Sequence, residues 1–191
     1  MTSMPAPAIS TTKPALQKVF LVQGEFRVSE IPELVVTTTL GSCVACCLHD
    51  PYARVGGINH FLLPHGEAFE GPEAIRYGAH AMELLINGLL HAGARKQRLV
   101  AKLFGGARLS EHLPDVGGAN AAFAERFLLH EGIVFLGGST RGVSARRIEF
   151  WPESGRVRQR TIPADDQEIL RAERFVRPAA PESGTIEFFG D

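Results

Sequence analysis

The stretch ELVVTTTLGSCVACCLHDP, Glu33 to Pro51, joins a β-branched run to a cysteine cluster through Leu40-Gly41-Ser42. ELVVTTTL is short and β-branched, and it predicts a buried strand. The residues after Cys43 are too few before the Asp50-Pro51 turn signal for a good helix. Read as a strand, they send Cys43 and Cys46 to opposite faces. Working outward, KVFLVQGEFRVSE alternates and breaks at Gly24, which predicts one or two strands. ARVGGINHFLLP predicts another, ended by Pro64. From Pro72 the period changes. Ile75, Met82, Leu85, Ile86, Leu89 and Leu90 recur at helical spacing, with Gly93 as a stop. RLVAKLF is a strand running into Gly105-Gly106, and GANAAFAERFLLHEG is a second helix ended by Gly132. IVFLGG is a further strand, and RRIEFWPESGRVRQRTI reads as a hairpin around a Pro/Gly turn. Strands outnumber helices, and one strand separates the two long helices. The fold class is therefore α/β (α+β): a single-domain layered sandwich of a mixed β-sheet with two main helices.

The ends read differently. Residues 1–17, rich in Pro, Ser and Thr, predict a disordered leader, without the basic-then-apolar order of a signal peptide. Residues 18–162 form the domain. Residues 163–191 hold a short helix opened by Asp165 and Glu168, a linker, and the closing peptide TIEFFGD. That peptide reads equally as a docking motif or a frayed end.

Composition narrows the class. The chain is 45% hydrophobic and 21% charged, with mean hydropathy +0.01, a net charge of −1 and a pI near 6.7. No basic excess neutralises phosphates, which argues against nucleic acid as the main partner. No apolar run reaches the length of a membrane span. Three clustered cysteines are no disulfide framework and point to a reducing cytoplasm.

Four readings of the cysteines stay open on the residues alone. Cys43 and Cys46 have redox spacing, but a strand separates them. A metal site drawing on His49 and His60 has no recognised spacing. Cys46 and Cys47 lie in an apolar run and suit a core. Cys43 follows a Gly-Ser turn, where a nucleophile is presented beside backbone N–H groups, and His60 is the nearest base in a structured element. Among other polar positions, Arg76-Tyr77 suits a surface contact and Asn120 a helix cap. Gly105-Gly106 suits either a cleft lining or a plain turn.

The blocks TTLGSCVACCLHDP, GGINHFLLP, RYGAHAMELLINGLLHAGA, LVAKLFGGA and VGGAN, in this order, resemble the CheD family of bacterial chemoreceptor glutamine deamidases. The resemblance runs from about Lys18 to Thr161 and implies a compact α/β sandwich similar to the deamidase domain of cytotoxic necrotizing factor toxins. It implies a cytoplasmic cysteine hydrolase, a protein-glutamine glutaminase, that converts selected receptor glutamines to glutamate without cofactor or metal. It places the nucleophile at Cys43, the base at His60 and the third member at Thr37, with Thr38 and Thr39 beside it. It implies methyl-accepting chemotaxis receptors as substrates and a CheC-type phosphatase as a docking partner. STRGVSARRIEF departs from the family, with Gly142-Val143 and Ala145 where a Gly-Gly pair is usual. That bears on substrate fit more than on chemistry. A transglutaminase-like acyltransferase and a non-catalytic binding module are the rival classes.

Overall fold

The computed structural model describes residues 15–63, 72–110 and 114–163. Among the described residues nine strands and two α-helices follow one another: β1 Gln17–Phe20, β2 Phe26–Ser29, β3 Leu34–Leu40, β4 Val44–Asp50, β5 Val55–Phe61, α1 Pro72–His91, β6 Val100–Gly105, α2 Val116–His130, β7 Val134–Thr140, β8 Arg146–Trp151 and β9 Arg156–Thr161. The layered α+β class is as expected, but the strands divide into two sheets rather than one. The first has order β1-β3-β8-β9 and the second β2-β5-β4-β6-β7. Both are mixed: β1 runs parallel to β3 and β7 parallel to β6, while the remaining neighbours are antiparallel.

The division follows from burial. Val44, Cys46 and Leu48 of β4 face the helices and pack with Phe61, Met82, Leu85 and Phe123. Cys43, Ala45 and Cys47 face the first sheet and pack with Leu34, Val36, Leu40, Ile148 and Phe150. The second sheet is thus covered on both sides. This explains why its central strands read as continuous apolar runs instead of alternating ones. The first sheet has an open outer face, and β8 alternates: Arg146, Ile148 and Phe150 are buried, while Arg147, Glu149 and Trp151 are not.

Stops and turns fall at the expected glycines. Gly93 and Gly132 have φ of +92° and +67° after the helices, and Gly155 has +66° in the β8–β9 turn. Asp115 caps α2, its carboxylate accepting the Gly118 N–H at 2.8 Å. Among the described residues no helix is long and apolar enough to cross a membrane. The expected C-terminal helix, linker and TIEFFGD peptide lie outside the described residues, as does nearly all of the 1–17 leader.

Candidate active site

The chain leaves the first sheet at Leu40, turns through Gly41-Ser42 and enters the second at Val44. Cys43 therefore lies at the seam between sheets, 2% exposed. β5 is antiparallel to β4 with His60 opposite Ala45, so His60 projects into the same inter-sheet space, 6% exposed. Its Nε2 lies 2.8 Å from Cys43 Sγ. Its Nδ1 lies 2.9 Å from Thr38 Oγ1.

Thr38 takes the place expected of Thr37. Strand alternation decides this. Thr38 shares a face with Leu34, Val36 and Leu40, which fill the inter-sheet core. Thr37 and Thr39 point the other way, in register with Glu149 and Arg147 on the outer face. The signal was in the sequence: three of the four alternate positions containing Thr38 are Leu or Val.

The hydrogen-bond count fixes the imidazole. Thr38 donates its one hydroxyl proton to the Leu21 carbonyl at 2.8 Å. It can then only accept at His60, so Nδ1 carries the proton and donates it to Thr38 Oγ1. Nε2 is left with its lone pair towards Cys43 Sγ. Burial pulls the His60 imidazole down to about 4 against the opposing pull of the Leu21 carbonyl, so the ring is a neutral base at pH 7. The His60 backbone is pinned as well: its N–H donates to the Glu25 carbonyl at 3.0 Å, and its carbonyl accepts from Gly24 at 2.7 Å.

The other cysteines do not join the site. Cys46 projects to the helix side of β4, opposite Cys43, so no Cys43–Cys46 pair can close across the strand. Burial pushes its thiol well up. Burial, with Cys46 adding and Lys102 opposing, pushes Cys47 up too. Both are core thiols. His49 Nε2 meets the Glu153 carbonyl at 3.0 Å and is not part of the Cys43 cluster. Among the described residues no group of three His, Cys, Asp or Glu could hold a metal ion.

A second layer, only half legible in the sequence, holds the Cys43 turn. Gly106 N–H donates to the Cys43 carbonyl at 2.8 Å and Ala107 N–H to the Gly41 carbonyl at 2.7 Å. Gly105 has φ +103°, and a Cβ there would lie 2.1 Å from the Cys43 oxygen. The glycines therefore let β6 close onto the turn. Asn120, expected as a cap, is a fully buried brace inside α2. Its Nδ2 donates to the Ser42 carbonyl at 2.9 Å, and its Oδ1 accepts from Leu63 N–H at 2.8 Å. Beside Ser42, a pocket of about 160 Å³ is lined by Arg108, Ser110 and Gly117 among others.

These features can be set beside known proteins. A family model described as CheD chemotactic sensory transduction matches residues 62–161. A protein of Caulobacter sp. (strain K31), "Probable chemoreceptor glutamine deamidase CheD", is 57% identical over 90% of this chain and 93% of its own length. Proteins of the same name from Acidiphilium cryptum (strain JF-5) and Sinorhizobium medicae (strain WSM419) are 55% and 51% identical. They cover 96% and 93% of this chain and 99% of their own lengths. The chain belongs to the CheD family. Among solved structures, a DUF152-family protein from Neisseria meningitidis is similar at 14% identity and TM-score 0.44, over 66% of this chain and 64% of that one, too distant to bear on the site.

In this CheD chain the segment between β7 and β8 is a packed loop. Arg141 and Gly142 take positive φ, +66° and +77°. The Arg146 guanidinium fills the loop from inside, donating to Ser139 Oγ at 2.9 Å and to the Ser144 carbonyl at 3.2 Å. Arg141 N–H donates to the Gly105 carbonyl at 2.9 Å, and Arg108 N–H to the Gly142 carbonyl at 2.8 Å. In this CheD chain the β7–β8 loop therefore abuts the glycines that clasp Cys43.

Proposed function

We propose that this chain deamidates glutamine side chains of chemoreceptors to glutamate. Cys43 serves as nucleophile, His60 as base and then acid, and Thr38 as the group that orients the ring. The chemistry rests on one observation: a neutral, tautomer-fixed imidazole with Nε2 at 2.8 Å from Cys43 Sγ. The substrate class rests on the relatives' names.

The steps balance without a cofactor. His60 Nε2 takes the Cys43 proton as sulfur adds to the glutamine γ-carbonyl carbon. The tetrahedral intermediate collapses, the C–N bond breaks, and His60 returns the proton to the leaving nitrogen, which departs as ammonia. A γ-glutamyl thioester remains. His60 then takes a proton from water as the water oxygen attacks the thioester carbon; the C–S bond breaks, His60 returns that proton to the departing sulfur, and glutamate and the Cys43 thiol are released. During each proton transfer the imidazolium keeps its Nδ1–H on Thr38 and gains no compensating carboxylate, so the charged ring is transient. A cytoplasmic setting and a CheC-type phosphatase partner belong to the same proposal.

The test is ammonia release from a purified receptor cytoplasmic fragment, with mass spectrometry of its glutamine peptides. Wild type is expected to convert glutamine to glutamate, and Cys43→Ala to convert none while keeping its fold. Cross-linked amides in place of glutamate would indicate an acyltransferase. Activity retained in folded Cys43→Ala would overturn the assignment.

A further inference from the structure

The outer face of the first sheet is strongly basic, although the whole chain carries a net charge of −1. Lys18 of β1, Arg147 of β8, and Arg156, Arg158 and Arg160 of β9 project there. The four arginines are exposed. Glu149 is the one carboxylate in the four strands of this sheet. It is already taken, accepting from Lys18 Nζ at 3.1 Å and from Arg158 Nε at 2.6 Å. Arg156 stacks on Trp151 with its guanidinium carbon 4.2 Å from the ring centre.

That leaves Arg147 and Arg160, which lie directly opposite one another across β8 and β9. Like charges so placed repel. Among the described residues neither has an ion pair or a side-chain hydrogen bond. A groove of about 500 Å³ opens between them, lined also by Glu149, Arg158 and Gln159. Two guanidinium planes side by side make a fork that fits carboxylates. The arginines of β9 recur at every second residue, so the row extends over about 13 Å. That spread suits several carboxylates along a polypeptide better than one small anion. Nucleic acid is a poorer fit, because Glu149 sits within the patch and the chain has no basic excess to neutralise phosphates.

The row ends beside the turn that carries Cys43. Arg147 is in register with Thr39, four residues before Cys43. Four residues and two strand spacings place both arginine backbones within about 25 Å of Cys43. The β7–β8 loop joins the two places. Arg108, which lines the pocket beside Ser42, donates its N–H to the Gly142 carbonyl at 2.8 Å, and Ile162, two residues after Arg160, donates its N–H to the Ala145 carbonyl at 2.8 Å.

Resting on the deamidase reading above, we propose that Arg147 and Arg160, with Arg158 beside them, dock carboxylate side chains of the receptor whose glutamine enters the Cys43 site. The carboxylates lie within about 25 Å of that glutamine, the span between the arginine row and Cys43. The face then selects which glutamines are presented, while Cys43 and His60 carry the chemistry.

The experiment separates docking from reaction. Binding of a purified receptor cytoplasmic fragment is measured with full-length Cys43→Ala, which cannot turn it over. Ammonia release is measured with the active chain. Adding Arg147→Glu and Arg160→Glu to Cys43→Ala should weaken binding by at least about tenfold and flatten its salt dependence. In the active chain the same pair should raise KM by a similar factor, leave kcat within about twofold, and leave the rate of Cys43 alkylation by iodoacetamide unchanged. Arg126→Glu, an exposed arginine of α2, should change neither quantity. Replacing receptor carboxylates near the glutamine by lysine should restore binding to the reversed face. No ammonia from wild type, with binding still lost on reversal, would sink the deamidase reading and leave the docking face standing. Absence of binding by Cys43→Ala at low salt, or binding unchanged by the reversal, would overturn the docking proposal. So would a fall in kcat and alkylation rate at unchanged KM, which would mark a structural role. Capture of DNA or anionic vesicles through these arginines, with receptor binding intact, would overturn it as well.

Discussion

Thr38 has a single hydroxyl proton, and the Leu21 carbonyl takes it. The tautomer of His60 follows from that one bond. Thr38→Val should leave the Leu21 carbonyl and the Nδ1–H without partners in a dry seam, at a cost of about 1–3 kcal/mol. Ammonia release should fall by about tenfold to a hundredfold as the ring loses its orientation. Thr38→Ser should keep most activity, whereas Thr37→Val should stay within about twofold of wild type, since its side chain faces away from the site. Steady-state rates on the three variants decide between the threonines. The same burial makes His60 a pH liability. Its folded pKa of about 4 is below the ordinary 6.5, so between these values the unfolded chain binds a proton that the native state refuses. Stability should therefore fall as pH drops from 6.5 to 4, by about 3 kcal/mol from this residue. Urea midpoints at pH 7, 5.5 and 4 should show the slope, and His60→Gln should remove this part of it.

At the scale of elements, the turn that carries Cys43 has no rigidity of its own. Gly41-Ser42-Cys43 is gripped from outside by the end of β6 and by α2, through Gly106, Ala107 and Asn120. Gly105 is the tightest point, where positive φ and backbone contact coincide. Gly105→Ala should cost more than about 1 kcal/mol from φ strain alone, and more from the overlap with the Cys43 carbonyl. Gly93→Ala, also at positive φ but with open space around its Cβ position, is the control for the strain alone. If the clasp sets Cys43 geometry, ammonia release should drop far more in Gly105→Ala than in Gly93→Ala at matched stability. Urea unfolding beside rate measurements separates the two.

At the scale of the molecule, the second sheet is a slab between two cores, and its far end from Cys43 is tied by one carboxylate. Asp50 is fully buried. It accepts N–H bonds from Tyr52 at 2.9 Å, Ala53 at 3.1 Å and Arg95 at 2.9 Å, with Arg98 Nε at 3.3 Å. Burial pushes its carboxyl up, but those N–H groups and the Arg98 guanidinium outweigh it and hold it below the usual range. Asp50 thus joins the β4–β5 turn to the segment between α1 and β6. Asp50→Ala should cost about 3 kcal/mol, seen as a lower urea midpoint, because it leaves buried N–H groups and Arg98 unpaired. The site lies at the other end of the slab, so activity per folded molecule should change little.

The sequence by itself determined the main strands and helices, and it offered Cys43 with His60 as one of four open readings of the cysteines. Periodicity of two or 3.6 is local, and Gly-Ser-Cys with a histidine on the next strand follows from the antiparallel pairing of β4 and β5 through a short turn. It also showed that Cys43 and Cys46 part company, because alternation needs only the chain. The tertiary structure decided what depends on long-range pairing. Whether Thr37 or Thr38 meets His60 turns on which face of β3 is covered, and that depends on β8 and on the second sheet. That there are two sheets depends on partners more than a hundred residues apart, such as β3 and β8. Asn120 became a brace instead of a cap because α2 packs its first turns against the turn that carries Cys43, a contact between residues 78 positions apart. Spacing along the chain sets which side chains share a face. Only packing sets what that face meets.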